Sequence, residues 1–282
     1  MSKKLTLEIT PGLDGRKIES LLENELSVSR SLIAKLKRTD GGVLLNGESA
    51  MLVARVKTGD TLLVNIPEGG AGGIVGTKME LDILFEDEDV LAVNKPGDMP
   101  VHPSGKHEAD TLMNGVIHYL GESGECHIIT RLDRDTTGVV LIAKNAHSAK
   151  LLTEEMKKGG IEKEYVAMVE GVPSPEKGEI CAPIKKAEEK GIKRIVSESG
   201  KEALSLYEII ETDGETSLVR LVPVTGRTHQ LRVHLSYIGH PIVGDRMYGA
   251  KTGERTMLRC RKIRFIHPLT KEEVTICANT KI

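Results

Sequence analysis

The chain has 282 residues, 39% of them hydrophobic and 28% charged, which is typical of a globular protein with one large or two ordinary domains. A formal net charge of -2 at pH 7 argues against a wholly basic protein that coats nucleic acid, although a local basic cleft is compatible with it because steering depends on how charge is distributed. The four cysteines lie far apart, no signal peptide is recognisable, and no window approaches the ~18 apolar residues of a membrane span, so we expect a cytoplasmic protein with no disulfide framework, no metal site and no membrane segment.

The first part of the chain has the pattern of a small α/β unit. Residues 5–9 alternate apolar and polar side chains, which predicts a short strand. A helix is predicted over residues 16–26, and a second helix follows Ser29, whose hydroxyl is a suitable N-cap. Further strands are predicted at residues 43–48 and 61–67.

The second helix carries a basic face. Its exposed side is predicted to hold Arg30, Lys35, Lys37 and Arg38, which could contact phosphates without reading sequence, although an ordinary solvated helix gives the same pattern. The helix pair, with the following GGVLLNGE and VKTGD, resembles the small RNA-binding domain first recognised in a small-subunit ribosomal protein, here called S-four-like. The resemblance covers residues 13–67 and implies that residues 1–67 bind RNA through these four side chains.

A glycine-rich segment separates this unit from the rest. Residues 67–78 read PEGGAGGIVGTK, and so many glycines in a short run do not pack a core, which predicts a flexible linker at residues 68–78. The segment lacks the Gly-Lys-Ser/Thr ending of a phosphate-binding loop.

Residues 79–282 are predicted to form an α+β domain with a mixed, largely antiparallel sheet, because strands dominate and no regular βαβ alternation occurs. Helices are predicted at residues 111–120, after Asn145 as N-cap, and after Thr228 as N-cap. Strands are predicted on both sides of an acidic turn at residues 86–89 and at residues 163–172, 204–210, 217–224, 257–265 and 273–278.

Residues 128–144, IITRLDRDTTGVVLIAK, place a charged loop between two apolar strands. Charge beside buried strands costs free energy unless it is paired, so such a loop serves either structural salt bridges or chemistry. Asp133 and Asp135 are two residues apart in one tight loop, which argues against the opposed carboxylates of a glycosidase. Asp135 is expected to bond backbone donors or Arg134.

The helix after Thr228 has a clear apolar stripe, formed by Leu231, His234, Leu235 and Ile238. Arg232 lies off this stripe near the helix start, where its guanidinium either projects toward a neighbouring loop and orients a carboxylate or makes an ordinary surface salt bridge. The histidines at positions 102, 229 and 234 do not have the spacing of metal ligands.

Four segments, in order, resemble the RluA family of pseudouridine synthases. They are NKPGDMPVHP (residues 94–103), TRLDRDTTGVVLIAK (130–144), KEYVAMVEG (163–171) and GRTHQLRVHLSYIGHPIVGDRMYG (226–249), with a weaker match at LRCRKIRFIHP (258–268). The resemblance implies an enzyme that isomerises selected uridines of RNA without a cofactor, with large-subunit ribosomal RNA as the expected partner. The alternative is a non-catalytic RNA-binding or ribosome-assembly protein that keeps the fold. A nucleoside hydrolase is disfavoured, because the sequence shows no second opposed carboxylate that could activate water.

The same resemblance implies the site residues. Asp133 matches the catalytic carboxylate, Tyr165 the tyrosine that contacts the flipped base, and Arg232 the arginine that pairs with the aspartate. It assigns contacts with RNA to five further residues: Arg131, Thr137, Arg227, His229 and Gln230, of which Arg227 is also a second candidate for the pairing arginine. Thr130 and the pair Arg259-Cys260 depart from the family pattern, which has His and His-Ala there, and put only local packing in doubt.

Overall fold

The computed structural model describes residues 3–28, 30–66, 74–121 and 124–278; the predicted cap at Ser29 and residues 67–73 of the predicted linker lie outside them. The first unit is a four-stranded antiparallel sheet in the order β1-β4-β2-β3. Its strands and helices are β1 (Lys3–Glu8), α1 (Ile18–Asn24), α2 (Arg30–Leu36), β2 (Val43–Leu45), β3 (Glu48–Ser49) and β4 (Thr61–Ile66). Apolar residues from both helices and from β4 form its core, which confirms the helix pair and the strand predicted at residues 61–67.

The prediction of one strand over residues 43–48 is wrong, because the chain reverses at Asn46-Gly47. Both residues have positive φ, 53° and 87°, as a two-residue type I′ turn requires. The side chain of Asn46 also accepts a hydrogen bond from the backbone N–H of Thr61 at 2.8 Å and donates one to Asp60 at 2.8 Å. The segment therefore forms the β2–β3 hairpin.

The basic residues predicted for the second helix divide between the helix and the turn after it. Helix α2 begins at Arg30 and ends at Leu36, so Lys35 lies in its last turn while Lys37 and Arg38 follow it. The side chains of Lys35, Lys37 and Arg38 are exposed.

The second unit is built on a sheet of ten strands, with the path β10-β13-β14-β9-β15-β8-β6-β5 and with β7 and β16 paired to β8 and β15. Among the described strand pairs only β8 with β15 is parallel, which confirms the mixed, largely antiparallel prediction. The elements are β5 (Ile83–Glu86), β6 (Val90–Lys95), α3 (Leu112–Leu120), β7 (His127–Ile128), β8 (Thr137–Ala143), α4 (Ala146–Lys157), β9 (Glu162–Glu170), β10 (Lys177–Cys181), β11 (Ile184–Lys186), β12 (Arg194–Val196), β13 (Leu204–Thr212), β14 (Thr216–Pro223), α5 (Gln230–Tyr237), β15 (Leu258–Ile266) and β16 (Glu273–Cys277).

The predicted cap at Asn145 is confirmed, because its side chain accepts a hydrogen bond from the backbone N–H of Ser148 at 2.9 Å. The predicted cap at Thr228 is wrong. The N-cap of α5 is His229, in a left-handed conformation (φ 56°, ψ 19°) and without a side-chain cap bond. The observed cap therefore lies one residue after the predicted one.

Part of the predicted linker lies against the second unit. Ile74 packs on the core, the carbonyl of Val75 accepts a hydrogen bond from the side chain of Asn114 at 2.7 Å, and the N–H of Thr77 donates to the carbonyl of Asn114 at 3.0 Å. Residues 74–78 are thus bound to α3. None of the described helices has the length and apolar character that crossing a bilayer would require.

Two central strands bring the charged loop to the middle of the sheet. Strand β8 is fully buried from Val139 to Ala143, and the loop of residues 131–136 leads directly into it. At the junction, Gly138 has φ 109° and its Cα lies so close to the carbonyl of Cys260 on β15 that any Cβ would overlap that oxygen. A glycine is therefore required for β8 and β15 to pair at this point.

Candidate active site

Asp133 lies in the loop between β7 and β8, with a quarter of its side chain exposed (26%). A backbone bond of 3.1 Å from the N–H of Thr136 to its carbonyl closes the turn. The other charges of the loop point elsewhere: Arg134 pairs at the surface with Asp135 at 3.0 Å and with Asp98 at 3.3 Å. The loop therefore separates a surface ion-pair cluster from one carboxylate that faces inward.

Arg232 reaches this carboxylate from α5. Its Nη1 lies 3.3 Å from Asp133 Oδ2, although the two residues are 99 positions apart in the chain. The guanidinium is buried (5% exposed) and is held by Asp245, which accepts from Nε at 2.7 Å and from Nη2 at 2.8 Å. Burial alone would lower the pKa of Arg232, but its bonds to Asp245 and the charge of Asp133 raise it above its ordinary value. The side chain is thus a permanent, fixed cation.

Tyr165 lies on β9, where it pairs with Cys260 of β15 and Leu221 of β14 at the centre of the sheet. Burial raises the pKa of its hydroxyl well above the ordinary value, with smaller contributions from the neighbouring Cys260 thiol and from the charge of Asp133. The ring is therefore an uncharged aromatic surface, and it lies close enough to Asp133 for that carboxylate to affect the pKa of its hydroxyl.

His229 approaches the same carboxylate oxygen. Its Nε2 lies 3.9 Å from Asp133 Oδ2, and its Nδ1 lies 2.7 Å from the hydroxyl of Tyr248. The Tyr248 ring in turn packs edge-on against the imidazole and beneath the guanidinium of Arg232, whose Cζ is 5.1 Å from the ring centroid. Three elements therefore converge on Asp133: its own loop, α5, and the segment that contains Asp245 and Tyr248.

A buried lysine, Lys95, forms hydrogen bonds that hold the Asp133 loop in place. The ammonium of Lys95, with no exposed surface, donates to the carbonyls of Pro96 at 2.7 Å, Met99 at 2.9 Å and Arg134 at 2.8 Å. Burial lowers the pKa of Lys95 to about 8, against the opposing charges of Asp135, Asp133 and Asp98. Lys95 thus joins the NKPGDMP loop to the loop that holds Asp133.

Comparison with known proteins identifies the type of site. Residues 89–237, about half of the chain, match the family described as RNA pseudouridylate synthase. The chain belongs to the RNA pseudouridine synthases. Residues 5–62 match a second family, the N-terminal domain of the ribosomal pseudouridine synthase RluD. The synthase is accordingly an isomerase that converts uridine to pseudouridine in RNA, and the catalytic interpretation is favoured over the non-catalytic alternative.

Individual relatives agree with this assignment. The chain is 37% identical over 256 residues to the uncharacterized RNA pseudouridine synthase YjbO of Bacillus subtilis, covering 89% of this chain and 90% of the relative. It is 39% identical over 224 residues to tRNA pseudouridine synthase C of Haemophilus ducreyi, covering 71% and 91%. Among solved structures, human RNA pseudouridylate synthase domain containing 1 superposes with a TM-score of 0.62 at 28% identity, covering 73% of this chain and 85% of the other.

The residues that the sequence assigns to RNA contacts lie in different environments in the synthase. Arg131, two positions before Asp133 in the chain, is exposed, and Arg227 is exposed with its Nε bonded to the carbonyl of Glu202 at 2.9 Å. Of the two candidate arginines, only Arg232 contacts Asp133 among the described residues. The hydroxyl of Thr137 donates weakly to the carbonyl of Leu258 at 3.4 Å, inside the sheet.

Gln230 is buried, and its amide is fully used within the protein. Its Oε1 accepts from Thr225 at 2.7 Å and from the N–H of Arg227 at 3.0 Å, while its Nε2 donates to the carbonyl of Leu204 at 2.9 Å and to Ser205 at 3.0 Å. This placement favours a structural contact that holds the loop before α5 over a contact with RNA.

The two departures from the family pattern are accommodated locally. The Thr130 hydroxyl is buried and accepts a hydrogen bond from the N–H of Leu141 on β8 at 2.9 Å, so it fixes the strand that follows the Asp133 loop. Cys260 lies beside Tyr165, and burial raises the pKa of its thiol to about 12, which keeps it protonated.

One cluster in the described part of the chain has the composition of a metal site, formed by Asp87, Asp89 and His267. The Nδ1 of His267 accepts from the backbone N–H groups of Leu269 at 3.3 Å and Thr270 at 3.1 Å. The ring proton is therefore on Nε2, which lies 2.9 Å from Asp87 Oδ2. A protonated nitrogen is not a ligand, so this cluster is a polar link between β5–β6 and the loop after β15.

Proposed function

We propose that this synthase isomerises uridine in large-subunit ribosomal RNA with Asp133 as the catalytic carboxylate. The observation that carries the proposal is the contact of Asp133 Oδ2 with a buried Arg232 that is itself bound by Asp245. A carboxylate that faces a fixed cation at the centre of the sheet is oriented for reaction, whereas Arg134 and Asp135 form an ordinary surface pair.

The reaction is an isomerisation in which Asp133 is the reacting group of the protein. The bond from the base nitrogen to the ribose breaks, the base turns, and a carbon–carbon bond forms, with no change of oxidation state. Asp133 either attacks the ribose or removes a ribose proton. Tyr165 offers the extruded uracil an aromatic surface without charge, and a stacked uridine has to leave its helix to reach it.

The substrate class rests on the first unit. Residues 5–62 match an N-terminal domain named for a ribosomal synthase, and Lys35, Lys37 and Arg38 are exposed cations in and after α2. Such cations bind phosphates of any structured RNA, so they favour a large substrate without naming a uridine. The relative that acts on tRNA aligns with 71% of this chain, which makes tRNA the second candidate.

The test is to incubate the full chain with unmodified transcripts of bacterial large-subunit ribosomal RNA and of a tRNA set, and to map pseudouridine chemically. Product in the ribosomal transcript supports the proposal, and product in tRNA alone replaces the substrate class. Equal product from Asp133→Ala, or none on any transcript, would sink the catalytic assignment.

A second experiment tests the role of the first unit. The double variant Lys37→Glu/Arg38→Glu should weaken binding of the ribosomal transcript, and the slope of log affinity against log salt should become smaller by about 1 to 2. Lys57→Glu, which reverses an exposed charge outside α2, is the matched control. If both variants behave alike, the basic face after α2 is not the phosphate contact.

A further inference from the structure

His229 occupies a conformation that residues other than glycine rarely adopt. It is the N-cap of α5 with φ 56° and ψ 19°, yet its side chain makes no cap bond. The imidazole instead spans the gap between Tyr248 and Asp133, with Nδ1 2.7 Å from the Tyr248 hydroxyl and Nε2 3.9 Å from Asp133 Oδ2. Strained backbone that aims a side chain into a site indicates that the side chain is used there.

The hydrogen bonds around Tyr248 determine which imidazole nitrogen carries the proton. The Tyr248 hydroxyl accepts a hydrogen bond from the backbone N–H of Arg194 at 3.0 Å. Among the described residues, His229 Nδ1 is the acceptor within reach of the proton that this hydroxyl still has to donate. A neutral imidazole that accepts at Nδ1 carries its proton on Nε2, the nitrogen that faces Asp133.

Arg232 and His229 both approach the same oxygen of Asp133, Oδ2. Arg232 Nη1 lies 3.3 Å and His229 Nε2 lies 3.9 Å from Oδ2, while Oδ1 receives no hydrogen bond from the described residues. We propose that His229 is a positioning residue: Tyr248 fixes its tautomer, so that the Nε2–H dipole, 3.9 Å from Oδ2 and beyond hydrogen-bond distance, adds to the attraction of Arg232 for that oxygen and leaves Oδ1 to the substrate. The effect of His229 on catalysis rests on the proposed function, whereas its tautomer and its distance from Asp133 do not.

Burial keeps the His229 imidazole neutral near pH 7. Burial is the main cause that lowers its pKa below the ordinary value, and the two nearby guanidiniums add to it while the two carboxylates oppose it; these groups are Arg232, Arg194, Asp133 and Asp245. The Tyr248 hydroxyl, which donates to the neutral ring, favours the same form. The working state is thus the singly protonated ring.

Three variants of the full chain test the proposal on the ribosomal transcript. His229→Gly suits the left-handed backbone and removes the ring, and it should lower kcat about 10²-fold with KM nearly unchanged. His229→Gln keeps an amide donor but does not titrate. It should recover part of kcat and should lack the fall in kcat at acidic pH that protonation of His229 causes in the wild type. Tyr248→Phe removes the donor to Nδ1, so the His229 pKa rises and the acidic limb moves to higher pH.

An effect of His229→Gly on KM alone would overturn the proposal and make His229 an RNA contact, and a Tyr248→Phe profile that superposes on the wild type would also overturn it. Nitrogen-15 NMR spectra of the histidine rings show which nitrogen of His229 carries the proton, and they do not depend on an activity measurement. The signal lost in His229→Gly should show Nδ1 unprotonated and Nε2 protonated in the wild type, and Asp133→Asn should lower its pKa further. Protonation at Nδ1 in the neutral wild-type ring contradicts the assignment, whereas an inactive wild-type chain contradicts only the proposed function.

Discussion

Asp245 binds the guanidinium of Arg232 through two hydrogen bonds, 2.7 Å from Nε and 2.8 Å from Nη2, and their side chains are only 1% and 5% exposed. A bidentate carboxylate fixes both the position and the plane of a guanidinium. The remaining nitrogen, Nη1, is thereby aimed at Asp133, which lies 3.3 Å away. The geometry of the site thus depends on a residue that does not touch Asp133.

Asp245→Asn should destabilise the protein by about 3 kcal/mol, because it leaves the buried charge of Arg232 without its main partner. Urea unfolding measures the change. Glu208→Gln is the control: its partner Arg220 also donates from Nε and Nη2, both to the single oxygen Oε2, but both side chains are 39% exposed, and solvent screens exposed pairs so that they contribute little. Equal effects of the two variants would contradict the importance of burial here.

Lys95→Met should cost about 3 kcal/mol and lower activity at the same time. The change removes one ammonium and leaves three carbonyls, those of Pro96, Met99 and Arg134, without their donor in the interior. The loop of Asp133 then loses its link to the NKPGDMP loop. Lys177→Met, at an exposed lysine of β10, is the control. A Lys95→Met protein with wild-type stability and kcat would show that backbone packing alone holds the loop.

Much of the fold could be predicted from period-two alternation and from capping residues, because these signals are local. The strands from β13 to β16 and the Asn145 cap are of this kind. The single strand predicted over residues 43–48 is wrong because Asn46-Gly47, a typical turn pair, reverses the chain there. Strands β11 and β12 are not predicted because IKK and RIV are too brief to show a period, and β10 is not predicted because KGEIC contains a glycine and two charged residues among its five.

The site shows the same division between local and tertiary information. Asp133 and Arg232 were identified from motif resemblance, but neither composition nor spacing indicates that Asp245 binds Arg232 or that Lys95 supports the loop. Both contacts are made by the tertiary fold. The one signal in the sequence is that both residues lie in segments that resemble the family: Lys95 in NKPGDMPVHP and Asp245 in VGDRMYG. The resemblance assigns neither residue a role.

Gly138→Ala should destabilise the protein by about 2 kcal/mol or more. The added Cβ would overlap the carbonyl of Cys260, and the φ of 109° is unfavourable for any residue with a Cβ. Strands β8 and β15 would separate next to the Asp133 loop. Gly226→Ala, where no atom lies within 4 Å of the new Cβ, should stay within about 0.5 kcal/mol of the wild type. Thermal or urea unfolding distinguishes the two, and a tolerated Gly138→Ala would refute the close approach.

Tyr165 should make the protein lose stability in alkali. Burial is the main cause that raises the pKa of its hydroxyl in the folded state, while in the unfolded chain the group ionises near pH ~10. The folded state therefore holds the proton that the unfolded state releases, so the contribution of Tyr165 to stability is complete below pH ~10 and decreases as the pH rises beyond it. Tyr165→Phe, which has no proton to lose, should show a smaller fall in the free energy of unfolding between about pH 9 and 11.

The matched control for this prediction is Tyr237→Phe, which removes the hydroxyl of a tyrosine that is 62% exposed and so tests whether the loss of any tyrosine hydroxyl changes the slope. Ultraviolet titration of the folded proteins gives an independent measurement. The number of tyrosines ionised at pH ~11 should be unchanged in Tyr165→Phe, because burial keeps the Tyr165 hydroxyl protonated in the folded wild type. If instead the Tyr165→Phe titration lacks one group, the hydroxyl is accessible to solvent, and the uncharged aromatic surface proposed for the uracil does not exist at high pH.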